Sequence, residues 1–281
     1  MRKLDCIMKR DLKDCTFIIP IRIESEDRLR NVITVLLYLI SNFDTNIIVK
    51  EVDKQSVFSE RALPQILEFG EDASCIRHIF EKSDDRLFLR EKILNEMLVE
   101  TTTKVVVNYD CDVLFDPDVY VEAYRKIMED ECDMVYPYGE GPWQFRVRAT
   151  DEVVSEFLTQ DFNFGILENA SWLDNAGEGW VQFLNRDVYF EGGMENENFM
   201  GSAPDDFERR YRFTTLGYRV HRLTNHICHL EHSRGMNSYP QSMTQHPYWE
   251  HNWGLWEQLK TYNKEQLIEY YSKQEYLKKY Q

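Results

Sequence analysis

The sequence predicts an α/β protein, a sheet with helices on its faces, followed by a loop-rich half and a helical C-terminal segment. Three observations predict it. Short β-forming runs alternate with longer stretches of helical periodicity up to about residue 140. The next hundred or so residues (141–240) are rich in Gly, Asn and aromatics, the composition of loops and short strands around a pocket. From about Trp249 the chain again reads helical, with many Tyr, Lys and Glu.

Taken in order, CTFIIPI (Cys15 to Ile21) reads as a buried strand. Asp27 to Ser41 reads as a helix, with Leu29, Val32, Ile33, Val35, Leu36 and Leu39 at helical spacing. NIIVKEV (Asn46 to Val52) is a second strand, Arg86 to Glu100 a helix and KVVVNY (Lys104 to Tyr109) a third strand. Asp118 to Glu131 is a helix, and DMVYPY a strand after it. Phe207 to Leu216 reads as helix within the loop-rich half. The expected division is a leader at 1–14, a ligand-binding α/β half at 15–140, a second half of the same domain at 141–240 and a C-terminal helical segment at 241–281. In such sheets ligands bind outside the carboxyl ends of the strands. Arg22, Glu51, Asp53, Asp110 and Asp112 all sit at such ends.

With 281 residues, 43% of them hydrophobic, the chain can bury a sizeable core in one large domain or two merged ones. A net charge of −16 argues against nucleic-acid binding, because there is no basic surplus to neutralise phosphates. A nucleotide ligand would need local arginines or a bridging divalent cation. The longest apolar run, Val32 to Ile40, is about half the ~20 residues of a membrane span. The N-terminus mixes both charges and lacks the apolar stretch of a secretory signal. Six cysteines with no C-x-x-C pair read as reduced thiols of a cytoplasmic protein.

Three clusters carry chemistry. Asp110-Cys111-Asp112 ends a β run, and two carboxylates so spaced can hold Mn²⁺ or Mg²⁺, which prefer oxygen ligands. A solvated turn is the plainer alternative. Asp205 and Asp206 open the helix of GSAPDDFERRYR, where acids complement the helix dipole or where one can act as general base. His226, His229 and His232 recur at every third residue in HICHLEHSRG. His229 and His232 can supply nitrogen ligands to a cation on Asp112, or sit in an exposed strand or loop with no such role. Zinc is the rival metal, but no cysteine pairs with these histidines at finger spacing. Trp143, Trp172 and Trp180 are candidates for stacking on sugar rings, or ordinary pocket wall.

Together, and in this order, the motifs resemble those of GT-A-fold glycosyltransferases. The group they most resemble contains the beta-1,4-galactosyltransferases and the bacterial chondroitin-type capsule polymerases. The similarity runs from about Cys15 to Tyr271. IIPIR resembles the family's first strand, so Pro20 and Arg22 would lie by the uridine diphosphate. FLREKILNEML places Arg90 by the nucleotide. YDCDVLFDPD matches the family's D-x-D end, which makes Asp112 the metal ligand and puts Asp110 near the ribose. VQFLNRDVYFEGGMENENFMG resembles the donor-side strand and its turn, matched by Gly192 and Gly193. GSAPDDFERRYR resembles the acidic block, which makes Asp206 the catalytic base and Asp205 the acceptor-binding acid. HLEHSRG resembles the metal-binding end, with His232 and, as in some relatives, His229 as ligands.

The resemblance implies a Rossmann-like mixed sheet flanked by helices and inverting transfer of a hexose or N-acetylhexosamine. The donor would be a UDP-sugar, the cofactor Mn²⁺ or Mg²⁺, and the acceptor a glycan or lipid-linked sugar in bacterial surface polysaccharide synthesis. Glu51 or Asp53 would help hold the nucleotide. The alternative is a non-catalytic sugar- or nucleotide-binding member of the fold, acting as a partner subunit. Four departures mark this chain. Ser202 replaces a tryptophan, Ala203-Pro204 replaces a glycine, Asp205 replaces a glutamate and Glu24 replaces an arginine. The C-terminal helix, with Leu259, Tyr262, Leu267, Tyr270, Tyr271 and Leu277, either packs on the catalytic domain or meets a partner protein or the inner face of a membrane.

Overall fold

The structure is a computed structural model and describes residues 9–280. Among the described residues eleven strands form two sheets. They are β1 (Arg10–Ile21), β2 (Phe43–Asp53), β3 (Ile76–Lys82), β4 (Val105–Tyr109), β5 (Val113–Leu114), β6 (Met134–Tyr136), β7 (Gly141–Val147), β8 (Ser171–Ala176), β9 (Val181–Asn185), β10 (Val220–Arg222) and β11 (Ile227–Leu230). The larger sheet runs β10-β6-β9-β4-β1-β2-β3, and the smaller runs β5-β11-β7-β8. β1, β2, β3 and β4 pair in parallel, as helical crossovers require, while β9 runs antiparallel to both β4 and β6. The sheet is therefore mixed, and β9, from the loop-rich half, is one of its inner strands.

The core follows from the apolar runs. All five residues of β4 are buried, and Cys15 to Ile21 of β1 are buried throughout, as expected of strands covered on both faces. The helix Glu26–Asn42 buries Val32, Val35, Leu36, Leu37, Leu39 and Ile40, and its acids Glu26 and Asp27 lie in the first turn. Asp116 caps the helix Pro117–Met128 by accepting from the Asp118 N–H at 3.0 Å, with Pro117 at its first position. The acid before the proline is thus the turn into a helix.

Several expectations change. β1 begins at Arg10, so the expected leader is partly strand, while residues 1–8, with Cys6, lie outside the described residues. The other five cysteines are free thiols. The stretch 58–68, a π turn running into a helix, and β3 were not anticipated. The C-terminal segment divides into the helices Ser242–Gln245, Trp249–Leu259 and Lys264–Ser272 and a short 3₁₀ turn. It packs inward. Leu259, Leu267, Tyr271 and Tyr276 are buried, and the Tyr271 hydroxyl donates to Glu208 at 2.6 Å. No helix among the described residues is long and apolar enough to cross a membrane.

Candidate active site: a metal-binding triad and a buried acid network

The β5–β11 pairing joins two distant parts of the chain. Leu114 faces Cys228 and Val113 faces His229, antiparallel, and the Leu230 N–H donates to the Asp112 carbonyl at 2.7 Å. That short ladder carries Asp112 beside the histidines. His232 Nε2 lies 3.0 Å from Asp112 Oδ2, and His229 Nε2 lies 3.8 Å from Oδ1. One ligand atom from each of the three residues falls within 4.8 Å of the others, the spacing of a metal site.

The hydrogen bonds around the triad suit a cation. The Ser233 carbonyl lies 2.7 Å from His232 Nδ1 and can only accept, so that nitrogen carries the proton and Nε2 faces Asp112 with its lone pair. His229 Nδ1 lies 2.8 Å from Glu231 Oε1, off the line of a good hydrogen bond, and its Nε2, 3.4 Å from Arg234 Nη2, is turned to the same point. Glu231 is fixed by Arg146, whose Nε and Nη2 reach its two oxygens at 2.9 and 2.7 Å. A carboxylate behind a ligating imidazole is the usual outer partner of a metal histidine. Asp112 Oδ1 is buried and has no hydrogen-bond partner among the described residues. Burial pushes the Asp112 carboxyl up, but positive charge on the two facing histidines, which they carry when protonated and a bound cation would replace, outweighs it and holds the carboxyl well below the usual range. The residues present fit a divalent cation of the Mn²⁺ or Mg²⁺ kind.

The acid pair has the opposite character. Asp205 and Asp206 are the first residues of the helix Asp205–Leu216, and Arg209, one turn on, reaches back to both, at 3.4 and 3.0 Å. Arg209 is fully buried. It also donates to both Glu195 oxygens, at 2.7 and 2.9 Å, and to Gln182 at 2.9 Å. Arg90 extends the network to Asp110 at 3.0 Å and to Asp205 at 3.7 Å. Burial, then the neighbouring Asp206 carboxylate, push Asp205 up to about 7. Burial works the same way on Glu195, but Arg209 overcomes it and holds Glu195 at about 2. Asp206 is the more open acid, its side chain 26% exposed against 9% for Asp205. Among the described residues its Oδ2 accepts no hydrogen bond. That oxygen lies 2.9 Å from where a Cβ on Gly179 would stand, so only glycine leaves it room.

Triad and acid pair line one cleft of about 840 Å³, with Pro20, Arg22, Arg28, Arg90, Asp110, Trp180 and Gly201. Arg22 donates to the Val52 carbonyl at 2.8 Å, and its buried Nη2 has no partner among the described residues. Five arginines and eight carboxylates line the cleft. A polyphosphate would therefore meet a net-negative wall, and a bridging cation offsets that. Asp27 ties the HSR loop to the first long helix by accepting from Ser233, and with Ser25 and Arg28 as further donors its carboxyl is held at about 2 despite partial burial.

Four of the expected donor-side residues lie elsewhere. Glu51 is absent from the cleft wall. It is buried and accepts from Ser56 Oγ at 2.7 Å and the Phe58 N–H at 2.9 Å, starting the helical stretch 58–68. Asp53 accepts from the Lys54 N–H and also stands off the cleft. Gly192 and Gly193 form a structural turn. The Gly192 carbonyl accepts from Arg212, and a Cβ on Gly193 would meet the Tyr271 ring at 2.5 Å. The glycines that do line the cleft are Gly177, Gly179 and Gly201. Gly201 has φ +64°, and a Cβ there would come within 2.3 Å of the Phe88 carbonyl. Of the three tryptophans, Trp172 lies between Arg146 and Arg148, and Trp143 packs on Gly139 and His226. Trp180 lines the cleft in a left-handed conformation (φ +67°), its carbonyl accepting from the Asp110 N–H at 2.9 Å. Such a conformation costs a bulky residue about 1–3 kcal/mol and persists where the surroundings impose it. Sequence reading missed Glu231, Arg209 and Glu195. Glu231 sits between the two histidines, and Arg209 lies three and four residues after the acids, a spacing that reads equally as an exposed helical ion pair.

The fold has known counterparts. A mannosyltransferase from Pyrobaculum calidifontis, solved in complex with GDP-Man and Mn²⁺, matches with a TM-score of 0.51 at 16% identity over 79% of this chain. The match covers 58% of the mannosyltransferase chain, less than two thirds of its length. Glucosyl-3-phosphoglycerate synthase from Mycobacterium tuberculosis, in complex with Mn²⁺, UDP and phosphoglyceric acid, is a looser match. Its TM-score is 0.46 at 13% identity, over 80% of this chain and 73% of the other. No protein-family profile and no curated protein matches the sequence. The fold is of the GT-A type, a mixed Rossmann-like sheet flanked by helices.

Proposed function

We propose that the chain is a metal-dependent glycosyltransferase that moves a hexose or N-acetylhexosamine from a UDP-sugar to a hydroxyl of a glycan or lipid-linked acceptor, with inversion. The single observation that carries this is the shared cleft, where a metal-binding triad and a carboxylate with a free oxygen line the same wall. The motif order favours the beta-1,4-galactosyltransferase and chondroitin-polymerase group, and with it a role in bacterial surface polysaccharide synthesis, in the cytoplasm or at the inner face of the membrane. The mannosyltransferase of like fold was solved with GDP-Man and Mn²⁺, so the donor test includes both nucleotides.

Asp112, His232 and His229 would hold Mn²⁺ or Mg²⁺, which when bound neutralises diphosphate charge and stabilises the leaving nucleotide. Arg22 offers its unpartnered Nη2 to the nucleotide, beside Pro20. Arg90 holds Asp110 and Asp205 in place. Asp206 takes the proton of the acceptor hydroxyl at Oδ2, while Arg209 fixes Oδ1 and sets the direction of the free lone pairs. Asp205, nearly enclosed, positions its neighbour and the acceptor. Trp180 forms a flat wall beside the donor sugar.

The test is nucleotide release from UDP- and GDP-sugars, with Asp206→Asn compared with wild type. The expected loss of transfer is about 10²–10⁴-fold with donor binding retained. Equal rates would remove Asp206 from the base role. Donor binding without turnover in wild type, against a broad acceptor panel, would leave the non-catalytic reading.

A further inference from the structure

At the edge of the cleft, the helix Asp205–Leu216 presents Phe207, Arg210, Tyr211 and Thr214 at spacings of three and four, which places them on one face. The helix Trp249–Leu259 faces it with Trp249, Trp253 and Trp256, again four and three apart. The rings form a continuous run. Trp249 and Trp253 are 5.7 Å apart between centroids, Trp253 and Phe207 6.3 Å, Phe207 and Trp256 6.3 Å, and Trp256 and Tyr211 5.8 Å. Phe207 is 42% exposed, so the run is open to solvent. Trp249 and Trp253 line the cleft, a second cavity of about 420 Å³ lies along Phe207, Tyr211 and Trp256, and Glu178 and Phe207 line both. The groove is thus an extension of the cleft that begins at the residue after Asp206.

The chemistry of the wall selects its occupant. Arg210 and Arg222 both pair with Glu178, and Arg210 also meets Glu140 at 3.5 Å, so two cations face two carboxylates and the groove offers no net charge to attract an ion. Flat apolar faces alternate with the fixed Arg210–Glu178 pair and the hydroxyls of Thr214 and Thr215. A pyranose has this same division, an apolar C–H face and an edge of hydroxyls. Aromatic side chains supply large, specific contact area for the first, and a few placed polar groups orient the second.

We infer that this groove binds a neutral oligosaccharide, the stem of an acceptor whose terminal hydroxyl reaches Asp206. The inference rests on the glycosyltransferase reading and adds that the acceptor is a chain several sugars long.

The experiment uses the full chain and ladders of neutral glucan, galactan and mannan oligosaccharides from one to six residues, followed by calorimetry and tryptophan fluorescence. In at least one ladder, affinity should rise with length over the first several sugars. Trp256→Ala should weaken the longest member about tenfold or more. Thr214→Trp, which fills the groove from an exposed position without removing packing, should do the same. Stabilisation by a nucleotide-sugar with Mn²⁺ should be unchanged in both variants. Flat ladders, or variants that bind the longest member as wild type does, overturn the groove assignment. So does sedimentation with phosphatidylglycerol vesicles that depends on Trp256, which would make the groove a lipid site. Loss of nucleotide-sugar stabilisation in wild type strikes instead at the glycosyltransferase reading, whatever the ladders show.

Discussion

The two halves of the cleft handle negative charge in opposite ways. At Asp112 the carboxylate faces two histidine ring nitrogens, and among the described residues Oδ1 has no hydrogen-bond partner. At Asp205 and Asp206 the buried Arg209, the half-buried Arg90 and Gln182 have already taken most of the oxygens and donors available. The first region is completed only by something positive from outside. The second is assembled in the folded chain and keeps one oxygen free. Under the proposed function the difference separates binding from positioning: the Asp112 side would take up a cation, and the Asp206 side would hold a base in one orientation with fixed internal charges.

The largest expected effect tests the claim that the acid side is self-contained. Arg209→Met leaves Glu195, Asp205 and Asp206 buried or half-buried without their shared cation, so denaturant unfolding should show a loss of about 3–5 kcal/mol. Asp112→Asn, which leaves no buried cation without its partners, should cost metal-free stability less than that. Similar losses from both would erase the contrast between the regions. A smaller effect probes the triad. Glu231→Gln weakens the hold on His229, and Mn²⁺ affinity measured by calorimetry should fall about 10–100-fold. Unchanged affinity would mean that Glu231 does not act through His229.

A third test concerns pH. Asp205 titrates near 7 in the folded chain against about 4 when unfolded. Between those values the folded chain keeps a proton that the unfolded chain has released. Its contribution to stability therefore falls as pH rises from about 4 to about 7. Thermal unfolding of Asp205→Asn should fall less over that interval than wild type. An identical slope would show that the arginines, not burial, dominate at Asp205.

The main strands and the first long helix were legible because their apolar spacing is unambiguous, as in Val105–Tyr109 and Glu26–Asn42. Asp112, His229 and His232 could be grouped from the sequence because few residue types bind metals and the motifs follow in order, and the structure brings their ligand atoms within 4.8 Å of one another. Glu51 and Asp53 were misplaced because a strand end supplies a helix start as readily as a ligand contact. Gly192 and Gly193 were misplaced because glycine pairs serve tight packing and ligand turns alike, and only the Tyr271 ring decides between them. The aromatic groove was not visible at all, since it depends on two helices that sequence alone cannot set face to face.

The most direct test of the account is thermal unfolding with UDP- and GDP-sugars, with and without Mn²⁺, in wild type and Asp112→Asn. A nucleotide-sugar at a hundred times its Kd should stabilise wild type by about 2.7 kcal/mol when Mn²⁺ is present. It should do far less without Mn²⁺, and little in Asp112→Asn under either condition. Stabilisation that is independent of the metal, or equal in the variant, would contradict the claim that Asp112 and its two histidines hold the cation that carries the donor.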